Sequence, residues 1–73
     1  MEVKIGVQHA PRELVIDTAD TAEEVEARLA DAVTSDGLFA VTDSRGRRVL
    51  VPARTIAYLE LGGGVSGQVG FRS

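Results

Sequence analysis

Glycines at positions 62, 64 and 67 spell G-x-G-x-x-G, a spacing that lets backbone approach a pyrophosphate. That chemistry needs a helix opening directly on the glycines and an acidic residue about 20 positions further on. Residues 65–73 hold no acid, and no Gly-Lys-Ser/Thr phosphate loop occurs. The run is read instead as the end of regular structure. Arginines are the second group: Arg45, Arg47, Arg48 and Arg54 surround two adjacent turns, with no acid between Arg45 and Arg54. Guanidinium forks suit phosphate and carboxylate. Arg47 and Arg48 alternate across a strand and so face opposite ways. Arg47 is expected to pair with Glu60, which leaves Arg45, Arg48 and Arg54 as candidate anion-binding residues. No aromatic is interleaved with them to stack on bases. A solvated turn that keeps sheet edges apart is the plainer reading of the same charges.

The remaining candidates are thinner. His9 is the sole histidine and there is no cysteine. One imidazole cannot build a zinc site, and a disulfide, a thiolate site and a cysteine nucleophile are excluded. Glu23 and Glu24 are adjacent carboxylates, but they fall at a helix start, where capping accounts for them. No nucleophile, base and oxyanion hole come together. No catalytic residue, metal site or cofactor is assigned, and the chain is not expected to be an enzyme.

These residues must be carried by short elements. Val3, Ile5 and Val7 alternate with Glu2, Lys4, Gly6 and Gln8, the period of a half-buried strand. Pro11 breaks it, and Glu13–Asp17 is a second strand forming a hairpin with the first. Thr21 and Glu24 make a capping box, with Glu23 and Glu24 favoured by the helix dipole. The spacing of Val25, Leu29, Ala32 and Val33 predicts a helix over 22–34 with one apolar stripe, and Gly37 is the expected left-handed cap. Strands follow at Leu38–Thr42, Arg47–Val51 and Ile56–Leu61, separated by turns at 43–46 and 52–55. The reading is a single α+β domain over 1–61, ββαβββ, mainly antiparallel with one helix on one sheet face. A flexible Gly-rich tail is expected over 62–73.

Closing the turn at 43–46 as a tight hairpin would set Thr42 opposite Arg47, Ala40 opposite Val49 and Leu38 opposite Val51. Closing the next turn would set Val49 opposite Tyr58 and Arg47 opposite Glu60. One face of this meander would carry Leu38, Ala40, Val49, Val51, Ile56 and Tyr58. The other would carry Phe39, Val41, Leu50, Ala57, Leu59 and Leu61. One helix covers one face, so the other must be covered either by the sheet curling into a partial barrel with the first hairpin or by a second chain, and in the second case Phe39, Val41, Leu50, Leu59 and Leu61 are the candidate interface. A 73-residue chain buries only roughly 60% of its unfolded surface, so a partner is a natural source of stability.

Net charge is −3, which disfavours indiscriminate nucleic-acid binding. Met1 leads into charged, alternating residues with no signal-peptide pattern, and no run approaches a membrane span. The expected location is the cytoplasm. Asp17, Asp20, Glu23, Glu24, Glu26, Asp31 and Asp36 surround a single Arg28, so an acidic helix opposes the basic turns. Met1–Val7 with Pro11–Val15, then Thr42–Arg48, Ile56–Glu60 and Val69–Phe71, resemble a family of short actinobacterial proteins known only as a domain of unknown function. The resemblance implies an actinobacterial cytoplasmic protein and imports no activity. The leading functional reading is a non-enzymatic binding or scaffold module, self-associating or binding another protein, without a membrane. The alternative is anion, nucleotide or nucleic-acid binding through the arginine turns.

Overall fold

A computed structural model describes residues 1–62. The expected tail falls on 63–73, outside the described residues. The elements are β1 (Glu2–Val7), β2 (Leu14–Asp17), α1 (Ala22–Ser35), β3 (Leu38–Thr42), β4 (Arg48–Pro52), a 3₁₀ turn (Ala53–Thr55) and β5 (Ile56–Leu61). This is the α+β, ββαβββ order read from the sequence, and every pairing is antiparallel.

The helix begins where its cap dictates. The Thr21 hydroxyl accepts from the Glu24 amide at 3.1 Å, and Glu24 Oε1 accepts from the Thr21 amide at 2.9 Å. Each bond satisfies a donor that the first turn would otherwise leave open. At the other end Asp36, not Gly37, takes the left-handed conformation, with φ 53°. The Gly37 amide then reaches back to the Ala32 carbonyl at 2.9 Å. Aspartate tolerates this region better than most side chains, and its carboxylate also meets Arg54 at 3.6 Å. Only part of the predicted stripe is buried: Val25 and Ala32 are, while Val33 is 60% exposed. The helix leans on β3 and the 3₁₀ turn, too narrow a contact to reach Val33.

Strand pairing departs from the expected meander. β5 does not return to β4. It joins the far edge of β1, giving a three-stranded sheet β2-β1-β5 and a separate hairpin β3-β4. The 3₁₀ turn, anchored by buried Ala53, carries the chain out of the hairpin. Bonds from the Gln8 amide to the Thr55 carbonyl and from the Gly62 amide to the Glu2 carbonyl bracket the β1–β5 ladder. Glu60 therefore stands opposite Lys4, and the predicted Arg47–Glu60 pair does not form. Arg47 Nε donates instead to Asp43 Oδ2 at 2.8 Å. The register shifts between Gly6 and Val7, where Ile56 rather than Ala57 opposes Val7. That bulge puts Ile56 on the same side as Leu59 and Leu61, all packed on the core.

The hairpin register also differs. Phe39 opposes Val51, Ala40 opposes Leu50, and Val41 opposes Val49. The shift is one residue, and in a strand one residue exchanges the faces. Phe39, Val41 and Val51 point inward and meet Val3, Ile5, Ile16, Val25, Ala32 and Ala53 in one core. Phe39 and Val41 are thus interior, and Leu59 and Leu61 are half-buried against that core. Of the five candidate interface residues only Leu50 stays open, 52% exposed.

Thr18 joins the pieces. It is 2% exposed; its hydroxyl donates to the Thr42 carbonyl at 2.8 Å and accepts from the Asp20 amide at 3.2 Å. Thr18→Val keeps the shape and removes both bonds, so stability should fall by about 1–3 kcal/mol while Thr18→Ser loses less. Urea denaturation checks this; a loss for Thr18→Val within about 0.5 kcal/mol, the range of a neutral surface change, would sink it.

Candidate functional site

The turn between β3 and β4 is built around one carboxylate. Asp43 Oδ1 accepts from the amides of Arg45 at 2.9 Å and Arg47 at 2.8 Å, while Oδ2 holds the Arg47 side chain. Gly46, with φ +86°, supplies the left-handed position that closes the loop. The Arg47 side-chain bond, then the Arg47 amide, hold the Asp43 carboxyl below its ordinary pKa.

The turn is moored to the end of β2. The Ser44 amide donates to the Asp17 carbonyl at 2.8 Å, and its hydroxyl donates to Asp17 Oδ2 at 2.7 Å. That hydroxyl first, and the amino terminus second, lower the Asp17 pKa. Beyond this mooring β2 and β4 separate. A groove of about 430 Å³ opens between Val15–Asp17 on one wall and Asp43, Ser44, Arg45 and Arg47 with Val49 on the other. It continues into a recess of about 310 Å³ lined by Leu14, Val15 and Ile16 against Arg47, Arg48 and Val49. The lining combines apolar side chains from both strands with the charged residues Arg45, Arg47, Arg48, Asp17 and Asp43.

Two of the three candidate anion-binding residues, Arg45 and Arg48, line this groove. Arg54 does not: it lies beyond the far end of β4, paired with Asp36. Among the described residues neither Arg45 nor Arg48 makes an ion pair. The apolar companions Leu14 and Val15 come from the other sheet, and no local pattern in the sequence links them to the arginines.

A model of the family described as "Protein of unknown function (DUF3107)" matches residues 1–72. The chain belongs to that family. No curated protein matches the sequence. Membership in DUF3107 brings no activity to this groove, so its chemistry must be read from the residues themselves.

The other candidates stay apart in this DUF3107 domain. His9 is exposed in the β1–β2 turn, in the left-handed region at φ 64°. Glu24 is committed to the helix cap. Arg28 is spent on Asp20 at 2.7 Å, whose pKa is lowered mainly by that bond. No group of three or more potential metal ligands occurs among the described residues. No described helix is long and apolar enough to cross a membrane.

A second surface lies on the outside of the hairpin. Side chains opposite the core face are Leu38, Ala40 and Leu50 with Pro52, set side by side by the pairings Leu38–Pro52 and Ala40–Leu50. Leu38 is 58% exposed. Nothing in the described chain covers this patch, because the helix leans on β3 and the 3₁₀ turn and leaves both leucines open.

Proposed function

We propose that this protein is a non-enzymatic binding or scaffold module that self-associates through the outer face of its β3–β4 hairpin. The observation that carries the reading is the pair Leu38 and Leu50, each more than half exposed on adjacent strands with Ala40 and Pro52 between and beside them. A contiguous apolar patch on a small soluble domain marks an interaction site. A second copy is the occupant of choice. Two such faces related by a two-fold axis set Leu50 of one against Leu38 of the other, a self-complementary contact. A chain this short also gains most from added burial. The resemblance in sequence supports an actinobacterial origin and a cytoplasmic location for it.

Light scattering over a wide concentration range tests the reading. The wild-type chain should show a stable dimer or larger species, and Leu50→Glu should reduce it to one protomer without loss of helix or strand signal. Leu38→Glu should act alike. A single-protomer mass for the wild-type chain at millimolar concentration would overturn it.

A further inference from the structure

We infer that the groove between β2 and β4 binds an extended, carboxylate-bearing peptide segment of another protein, added as a strand to the free edge of β2. The first support is backbone geometry. The Thr18 amide bonds to the Met1 carbonyl, and the amino terminus bonds to the Thr18 carbonyl. Met1 and Thr18 are thus a hydrogen-bonded pair, and alternation makes Val3–Ile16 and Ile5–Leu14 the next two in the β1–β2 register. The groups of Val15 and Asp17 therefore point away from β1. The Asp17 carbonyl shows this directly, since it accepts the Ser44 amide. The Val15 N–H and C=O face the groove and have no backbone partner among the described residues. A free strand edge of this kind is a template for an incoming strand.

The second support is the lining on both sides of that edge. Leu14, at 41% exposure, and half-buried Val49 offer an apolar seat. An added strand points alternate side chains to opposite faces, so one set can sit on these residues while the other meets the groove's arginines. Their charge is not balanced from within. Asp17 and Asp43 line the groove too, but Asp17 is held by Ser44 and the amino terminus, and Asp43 by Arg47 and two amides. Among the described residues Arg45 and Arg48 remain without an ion pair, so the incoming side chains that complement the groove are glutamate or aspartate. A nucleic acid fits less well: among the described residues no aromatic lines the groove to stack a base.

The probe is an acetylated, amidated hexapeptide alternating glutamate and valine, titrated at low salt into the full-length, nitrogen-15-labelled chain. The Leu50→Glu variant is titrated in parallel, so that self-association and groove binding are read separately. The Val15 and Asp17 amides and the Arg45 and Arg48 Nε–H signals should shift, and affinity should fall as salt rises. Arg45→Glu and Arg48→Glu should each weaken binding about tenfold. Val15→Pro removes the outward N–H without touching the β1 ladder, a substitution an edge strand tolerates, and should abolish binding. The inference is overturned if the hexapeptide leaves those signals unmoved. A lysine–valine hexapeptide that binds equally well, or an oligothymidylate that alone shifts the arginines, would overturn it as well.

Discussion

In the Leu50→Glu background, which leaves the hairpin face unpaired, Phe39→Ala should remove about 3–5 kcal/mol of stability, while Leu38→Ala, one residue earlier, should change it by less than about 0.5 kcal/mol. The contrast follows from the register. Phe39 is fully buried in the core, and Leu38 is 58% exposed on the opposite face of the same strand. Deleting the ring leaves a cavity walled by the core side chains contributed by both sheets and the helix. A 73-residue domain has a total stability of roughly 4–11 kcal/mol, so the loss is a large fraction of the whole. Guanidinium or urea denaturation gives both values. Equal losses at the two positions, or a larger one at Leu38, would mean that the hairpin pairs as the plain reading of its turn suggests and that the faces are exchanged.

That exchange is where the sequence stopped being legible. Local signals are legible: the alternation of Glu2–Val7, the Thr21–Glu24 capping box, the Asp43–Gly46 turn and the order of elements all stand in the structure. The hairpin register is not. Asp43 and Arg47 close the β3–β4 ladder, the Asp43 amide donating to the Arg47 carbonyl at 2.8 Å. Three residues then lie in the loop, with Gly46 left-handed, and every partner downstream moves by one. An aspartate accepting from two loop amides could have signalled the longer loop, since side chains of this type cap turns. The partner of β5 is a different matter. It is a contact with the first strand of the chain, and no local rule chooses between β1 and β4. The same holds for the groove. Arg45 and Arg48 were recognisable as chemistry-bearing, but their meeting with Leu14 and Val15 depends on the mooring of Ser44 to Asp17. Arg54 looked equivalent by spacing and is excluded only because β4 separates it from that mooring.

Gly6→Ala should cost about 1–3 kcal/mol in the wild-type background and become neutral or favourable in Tyr58→Ala. Gly6 and Tyr58 are directly opposed on β1 and β5. A Cβ on Gly6 would fall inside the van der Waals envelope of the Tyr58 ring, against Cε2 and Cζ. Gly6 does not have a positive φ, so its own backbone permits alanine; the ring is what forbids it. In this arrangement an aromatic side chain covers a strand glycine and restores the packing the glycine lacks. The ring is 46% exposed and can swing outward, but it then gives up that cover and the bond from its hydroxyl to the Glu13 carboxylate. That bond, the largest influence on the phenol, raises the Tyr58 pKa. The expected penalty is that of moderate overpacking. With the ring deleted, alanine meets no obstacle and recovers the roughly 0.5–1 kcal/mol that glycine costs inside a strand. A double-mutant cycle in urea should therefore return a coupling of about 1.5–4 kcal/mol, which reaches the upper end of what residues in direct contact show. If Gly6→Ala costs the same with and without the ring, the glycine is required for another reason and the cross-strand cover is not what holds β5 to β1 at this point.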